Sequence, residues 1–301
     1  MRHDSAANSD RIATYVKKHP SGTGTIHLET MRQAPLNWPV DGHVHFYRLD
    51  RVGPTLDAAS ANFQAAAGRV EGVLGAILLT QAANDRVFEQ LATTPAVGGW
   101  SLAPARDEPG TLIARQGSIS LAIVCGRQVR AADGLEVLAL GTREVFPDGL
   151  PFAEAVARVQ RSGALTVVPW GFGKWLGRRG RRMEAVLDSM GCSALCVGDN
   201  GSRLGFTGVP AQLRVFEGRG FRVLPGTDPF PFGGDCRRVG SFGFMAQAGF
   251  DEVAPWRRLR EWLLGRTDSP KPYGRACGPG RFVVNQVGIQ VYNRLLRRRS
   301  E

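Results

Sequence analysis

The sequence predicts an α/β fold, either a parallel β/α barrel or a doubly wound sheet. Between residues 36 and 265, short apolar runs of strand length alternate with segments of helical periodicity. The chain has 301 residues, 43% of them hydrophobic and 22% charged, so it can bury a large core and is not disordered as a whole. It contains no run of 18 apolar residues, which predicts that a membrane is not among its partners.

The predicted strands follow β-propensity and apolar patterning along the chain. The first, at residues 38–47, alternates in β-forming residues, and the second, at 73–79, is continuously apolar, as strands buried on both faces are. Three short segments bounded by turn residues then predict an antiparallel insertion, after which strands and helices alternate again. These later strands are predicted at 100–103, 112–115, 119–125, 135–140, 165–169, 194–197 and 221–224.

Helices are predicted where apolar residues recur every three or four positions, and Thr55 is a residue type that caps such segments. They cover residues 55–69, 84–91, 152–161, 181–190, 211–218 and 256–264. The same patterns divide the chain into three parts. We expect a flexible N-terminal arm at 1–35, a barrel domain at 36–265 and a Pro/Gly-rich, basic C-terminal extension at 266–301.

The charge balance favours an anionic partner. The chain has 38 basic and 27 acidic residues, a net charge of +11, and only four of the basic residues are lysines. The guanidinium fork of arginine suits phosphates and carboxylates, although most charged residues of any protein are solvated surface. An anionic small molecule is therefore the predicted partner. Nucleic acid is a weaker alternative that rests on the basic run at 297–299.

The cysteines predict the compartment. Five of them are scattered along the chain without a C-x-x-C motif, which argues against a disulfide framework or a zinc ribbon. The sequence also begins without an apolar leader. Together these features predict a cytoplasmic protein.

The sharpest motif is Asp41-Gly-His43-Val-His45 in the first predicted strand. Residues at positions i and i+2 of a strand point to the same face, so both imidazoles can meet one metal ion. Asp41 is placed to orient a ligand histidine. The residues alone leave a hydrogen-bonded pair of core histidines as an equal alternative.

A second candidate is Asp228, which follows the last predicted strand in the segment Gly-Thr-Asp-Pro. An aspartate at this point projects from the carboxyl ends of the strands, where barrel enzymes assemble their sites. A turn initiated by Asp-Pro explains the same residues without any function.

Together these motifs resemble the polymerase and histidinol phosphatase (PHP) superfamily of metal-dependent phosphoesterases. Residues 41–45 are similar to its Asp-x-His-x-His strand, 134–138 to its glutamate-bearing strand, and 226–228 to its closing motif. The resemblance implies a distorted seven-stranded β/α barrel, with a few antiparallel strands inserted in the middle and metal at the C-terminal rim. The ligands that it implies are His43, His45, Glu136 and Asp228.

The sequence departs from that family by lacking most of its histidines. Of the five histidines in the chain, only His43 and His45 lie within the predicted barrel domain. Val168 and Phe230 stand where the family has histidines, and Asn200 corresponds to another. The resemblance therefore implies a reduced site that holds a single zinc, manganese or iron ion, or a decayed site that holds none.

A basic cluster punctuated by glycines predicts an anion site after the strand at 165–169. This cluster includes Lys174 and Arg178, and Arg203 follows the next strand. Asn200 and Trp170 complete the predicted substrate-binding set, the tryptophan as a stacking surface. For each single arginine, solvated surface is the alternative explanation.

The resulting functional prediction is a PHP-like, metal-dependent hydrolase acting on a phosphate ester or another anionic small molecule. Asp41 or Asp228 would accept a proton, while Lys174, Arg178 and Arg203 would neutralise the charge of the leaving group. The alternative is a non-catalytic relative with the same fold, which binds an anionic ligand or a protein partner.

Overall fold

The computed structural model of the chain describes residues 37–300 apart from residues 69–70, 172, 233 and 249–251. The predicted flexible arm at 1–35 lies outside the described residues, and so do the side chains of the basic run at 297–299. No helix within the described ranges has both the length and the apolar character needed to span a membrane.

The described residues form thirteen strands, seven α-helices and three short 3₁₀ helices. The strands are β1 (Trp38–Val44), β2 (Gly72–Leu79), β3 (Ala96–Val97), β4 (Trp100–Ala105), β5 (Glu108–Gln116), β6 (Ile119–Val124), β7 (Gly126–Arg130), β8 (Glu136–Leu140), β9 (Leu165–Pro169), β10 (Leu195–Asn200), β11 (Arg222–Gly226), β12 (Phe242–Ala246) and β13 (Pro272–Gly274). The α-helices are α1 (Val52–Ala67), α2 (Val87–Ala92), α3 (Phe152–Arg161), α4 (Gly177–Met190), α5 (Ala211–Gly218), α6 (Pro255–Leu264) and α7 (Pro279–Ser300). The 3₁₀ helices are Leu49–Arg51, Gly205–Thr207 and Asp235–Arg238.

These strands form two sheets. The first has eight strands in the order β13-β12-β1-β2-β6-β5-β4-β3, and the second has five in the order β11-β10-β9-β8-β7. Strands β1, β2 and β6 pair in parallel, and so do β9, β10 and β11. Strands β4, β5 and β6 pair antiparallel, which confirms the predicted antiparallel insertion.

The predicted seven-stranded β/α barrel is wrong, because the described strands form two separate sheets and no closed barrel. Strand β6 pairs with β2 and continues through antiparallel partners to β3, so the inserted strands enlarge the first sheet instead of lying outside a barrel. Strand β8 runs antiparallel to both of its neighbours, which breaks the parallel order of a β/α barrel.

The two sheets nevertheless meet at two local junctions. An isolated bridge pairs Gln81 with Arg127, next to the ends of β2 and β7. At the other junction, the backbone N–H of Asp228 donates a hydrogen bond of 2.8 Å to the carbonyl of His43. The second junction brings the candidate site together, because it places the residues that follow β11 against the end of β1.

Alternation along the strands distributes side chains among three buried clusters. On β8, Leu138 and Leu140 face a core that both sheets share with α6, whereas Val137 and Ala139 face a core formed with α3, α4 and α5. The opposite face of the first sheet packs on α1 and α2. Because successive residues point to opposite faces, this alternation also decides which polar side chains at the strand ends reach the site.

The six predicted helices are confirmed as α1 to α6, with ends that differ by about one turn at most. The sequence patterns missed four strands, β3, β7, β12 and β13. Strand β7, with the sequence Gly-Arg-Gln-Val-Arg, is too polar to be recognised from apolar alternation. Within the predicted C-terminal extension, β13 pairs antiparallel with β12 and so adds an edge strand to the first sheet.

Candidate metal centre

Strand β1 carries both histidines of the Asp-x-His-x-His motif to one end of the first sheet. His43 lies within β1 and His45 directly follows it. Because the two residues are two positions apart in extended backbone, their rings point the same way. Their Nε2 atoms lie 3.2 Å apart, and their side chains are only 6% and 7% exposed.

The segment after β11 brings Asp228 to these histidines. Its Oδ1 lies 3.5 Å from Nε2 of His43 and 3.4 Å from Nε2 of His45. Gly226 makes this approach possible, because a Cβ at that position would overlap the backbone nitrogen of His43. The first position of the Gly-Thr-Asp segment therefore has to be glycine for a steric reason.

The backbone of Asp228 is strained. Its φ is +45°, and it is the one non-glycine residue with positive φ in the part of the chain that the structure describes. The left-handed region costs an L-residue about 1–2 kcal/mol, although aspartate tolerates it better than most. The Ser202 hydroxyl donates to the Asp228 carbonyl at 2.7 Å, and the Asn200 side-chain amide donates to Oδ2. Strain that its surroundings hold in place is typical of functional sites.

The three ligand atoms form a triangle with edges of 3.2, 3.4 and 3.5 Å. Tetrahedral zinc, with bonds of about 2.1 Å, separates its ligands by about 3.4 Å. An octahedral ion with similar bonds separates adjacent ligands by about 3.0 Å. The triangle thus has the size of one face of a zinc tetrahedron. With three protein ligands, a bound zinc would keep a fourth position for water or substrate.

The protonation states of His43 and Asp228 at neutral pH favour the binding of a cation. Burial lowers the pKa of His43, so at neutral pH its imidazole is neutral and offers a lone pair. Burial alone would raise the pKa of Asp228, but His43, His45 and the hydrogen bond from Asn200 outweigh it and hold the pKa well below its usual range. Asp228 is therefore a carboxylate at neutral pH, and the cluster combines neutral nitrogen with anionic oxygen.

Asp41, the first residue of the motif, lies outside this triangle. Its carboxylate is completely buried and accepts hydrogen bonds from the N–H and hydroxyl of Thr227 at 2.8 and 2.6 Å and from the N–H of Gly240 at 2.8 Å. Burial raises its pKa to about 6 against these hydrogen bonds. The structure thus uses Asp41 to fasten β1 to the segments that follow β11 and precede β12, and not as a group in contact with the ligand atoms.

Glu136 is not one of the three ligands that lie within 4.8 Å of one another among the described residues. It shares the face of β8 that carries Leu138, and its charge raises the pKa of His43. The Nζ atom of Lys174 lies 2.5 Å from Oε1 of Glu136. The structure therefore pairs Lys174 with the predicted fourth ligand.

Of the other predicted anion-binding residues, Asn200 reaches the site through Asp228, and the remaining three have other surroundings. Arg203 is buried and forms a bidentate pair with Asp199, with donor–acceptor distances of 2.6 and 2.8 Å, and it also donates to the Gly208 carbonyl. Arg178 is exposed in the first turn of α4. Trp170 packs against the core that is formed with α3, α4 and α5. None of these three is brought to the triangle.

The sequence analysis overlooked a cleft of about 240 Å³ that begins at His45. Its wall residues directly follow the metal-ligand candidates in sequence, and that continuity is the signal that could have identified them. The cleft is lined in part by Tyr47, Arg48, Arg51, Phe230 and Phe232.

Comparison with known proteins bears on the fold only. No family model matches the sequence, and no curated protein matches it significantly. The chain is similar in structure to PsfC from Pseudomonas syringae PB-5123, with a TM-score of 0.52 and 13% identity over 86% of this chain and 99% of PsfC. At that identity the similarity concerns the arrangement of the chain and not its chemistry.

Proposed function

We propose that the protein is a metal-dependent hydrolase that acts on a phosphate ester or another anionic small molecule. The observation that carries the proposal is the triangle of His43, His45 and Asp228, in which three electron-pair donors face one another across 3.2–3.5 Å. Zinc is the ion whose ligand spacing the triangle matches best, ahead of manganese and iron. A divalent ion bound there would lower the pKa of a coordinated water and polarise the bond to be cleaved.

The chain's own residues divide the remaining tasks. Asn200 holds the second oxygen of Asp228, which fixes the direction of the first. Glu136, whose charge acts on His43 and whose side chain is 19% exposed, is the carboxylate that we assign to exchange protons with a reacting water. It takes the role predicted for Asp41, whose oxygens are filled by hydrogen bonds. Lys174 places a positive charge next to the same region.

We also propose a cytoplasmic location. All five cysteines are free thiols, as is usual in a reducing compartment. Burial raises the pKa of Cys125 to about 12 and that of Cys196 to about 11, so these two behave as inert core residues.

The test is hydrolysis by protein that has been freed of metal and reloaded with zinc, manganese or iron. We expect the zinc form to cleave 4-nitrophenyl phosphate or its bis-aryl diester, and His45→Ala to lower the rate more than about 100-fold. His27→Ala, which changes a histidine outside the described residues, is the matched control. A protein that binds zinc stoichiometrically but cleaves no anionic ester with any of the three metals contradicts the proposal.

That negative result would favour the non-catalytic alternative, a relative that binds an anionic ligand or a protein partner. The alternative predicts ligand binding that is unchanged by His45→Ala. Kinship with the PHP superfamily stays a prediction that rests on residues 41–45 and the aspartate after β11.

A further inference from the structure

We propose that the cleft beside His45 is the substrate subsite and that it selects anions attached to a planar aromatic ring. The inference rests on the proposed function, because it names the substrate class of the same site. Aromatic side chains and two arginines meet in this cleft next to a metal-ligand candidate.

The position of the cleft follows from chain continuity. Two segments form its walls. One begins at His45, a member of the triangle, and runs to the start of α1, and the other begins at Pro229, the residue after Asp228, and runs into the 3₁₀ helix Asp235–Arg238. His45 belongs to both the triangle and the cleft wall, so a molecule in the cleft would lie against a metal-ligand candidate, where a scissile bond has to be placed.

Aromatic rings line the cleft in two fixed pairs. The ring of Tyr47 stacks on His45 with a centroid distance of 5.5 Å and an interplanar angle of 27°, and its hydroxyl donates to the Pro229 carbonyl at 3.0 Å. Phe230 and Phe232 stack at 5.5 Å with an angle of 17°. Because contacts within the protein already hold these rings, a planar ligand can stack on them with little ordering cost.

Arginines supply the charge. Arg48 and Arg51 line the cleft, and Asp50 accepts two hydrogen bonds of 2.9 Å from Arg48. The second oxygen of Asp50 is 4.0 Å from Arg51. All three side chains are more than half exposed, so the internal pairs are weak and an anionic ligand can compete for both guanidinium groups. Asp235, a carboxylate of the lining, is buried and paired with Arg238 and Arg281, so the two exposed arginines against Asp50 leave the cleft mouth positive.

The volume limits the size of the ligand. A cavity of about 150 Å³ accommodates one benzene molecule, and the cleft has about 240 Å³. It therefore has room for one ring and a small anionic group. It is smaller than the roughly 300–1,000 Å³ of pockets for drug-sized ligands, which disfavours extended polymers within it.

The experiment measures binding of three uncleavable or incomplete probes to the zinc-loaded protein by calorimetry. Phenylphosphonate carries both the ring and the anion, methylphosphonate carries the anion alone, and phenol carries the ring alone. We expect phenylphosphonate to bind about 10-fold more tightly than methylphosphonate. Phenol should bind more weakly than phenylphosphonate.

Substitutions of cleft residues test whether the preference for phenylphosphonate over methylphosphonate arises in the cleft. Phe230→Leu keeps an apolar side chain but removes a ring face, and together with Tyr47→Leu it should abolish the preference for phenylphosphonate. Arg48→Ala combined with Arg51→Ala should weaken both phosphonates about fivefold, whereas Arg178→Ala, an exposed arginine on α4, should change neither. Far-ultraviolet circular dichroism checks that each variant folds.

Repeating the titrations in His43→Ala separates this inference from the proposed function. A preference for the ring that persists without bound metal supports the subsite even if hydrolysis is never observed. Equal affinity for the two phosphonates, or a preference unaffected by the Tyr47 and Phe230 substitutions, overturns the inference even if the protein is a hydrolase.

Discussion

Two buried polar clusters lie close together at the ends of β10 and β11, yet they are completed in different ways. In one, the Asp199 carboxylate faces the guanidinium of Arg203, and the pair is 4% and 7% exposed. In the other, the Asp228 carboxylate faces the imidazole nitrogens of His43 and His45. The first cluster contains its own cation. The second brings two imidazole nitrogens and a carboxylate oxygen within 3.5 Å of one another.

The difference separates a carboxylate that the chain neutralises with its own cation from one that we propose as a metal ligand. A buried charge must be paired or must coordinate a metal, because desolvation is otherwise too costly. Asp199 meets this requirement through the guanidinium of Arg203, whereas Asp228 meets it through two imidazoles and the Asn200 amide, and, in our proposal, through a bound divalent ion. Basic residue type alone therefore misleads, since Arg203 has the chemistry of an anion site but is committed to Asp199.

The largest expected effect on stability comes from breaking the self-contained pair. Arg203→Ala leaves Asp199 buried without its cation and should lower the free energy of unfolding by about 3–5 kcal/mol. Urea denaturation measures this loss. Arg178→Ala, at an exposed position, should change stability by less than about 0.5 kcal/mol. If Arg203→Ala were as stable as Arg178→Ala, the structural role of the pair would be refuted.

A smaller effect is expected on the affinity of the triangle for metal. Asn200→Ala removes the amide that fixes Asp228, so zinc affinity should fall about 10- to 100-fold while binding remains measurable. Competition with a chromogenic chelator gives the dissociation constant. Arg203→Ala, measured at a temperature where it is folded, should keep the affinity of the unmodified protein. Unchanged zinc affinity in Asn200→Ala would show that the amide does not position the ligand.

The smallest effect concerns pH. Burial lowers the pKa of His43 below its usual value near 6.5. As the pH falls through 6.5, the unfolded chain binds a proton at His43, whereas the buried imidazole of the folded protein stays neutral. The metal-free protein therefore loses stability as the pH falls. Between pH 7.5 and 5.5 its free energy of unfolding should fall by about 1 kcal/mol more than that of the His43→Gln variant.

His43→Gln is a fair reference because Asp41 titrates in both proteins. The pKa of Asp41 is raised to about 6, so its contribution has the opposite sign: stability falls as the pH rises from about 4 to 6. The comparison of the two proteins removes that contribution. Parallel stability profiles for the two would contradict a buried, neutral His43.

The helices and most of the strands were predictable from the sequence, but the pairing of the strands into sheets was not. The segments α3 and α5 have the predicted ends because apolar spacing and flanking Pro and Gly residues mark them locally. Whether β6 pairs with β2 or stays outside the sheet depends on pairing between distant strands, and no local pattern encodes it. The barrel was predicted from the resemblance to the PHP superfamily. The structure has an eight-stranded first sheet instead, and β8 pairs antiparallel with both of its neighbours.

The site was partly predictable for a related reason. The spacing of His43 and His45 fixes their common face, so their juxtaposition follows from the sequence. Their meeting with Asp228 depends on Gly226 and on the junction of the two sheets, which only the structure shows. The commitment of Arg203 to Asp199 likewise required coordinates, because an arginine four residues after an aspartate has no marked function in sequence.

The most direct test of the central claim is the zinc content of the untagged protein after removal of metal and reconstitution, measured beside the double variant His43→Ala/His45→Ala. The account predicts one zinc per chain in the unmodified protein, none in the double variant, and one in His27→Ala. Zinc absent from the unmodified protein, or retained equally by the double variant, would contradict the assignment of the triangle as a metal centre.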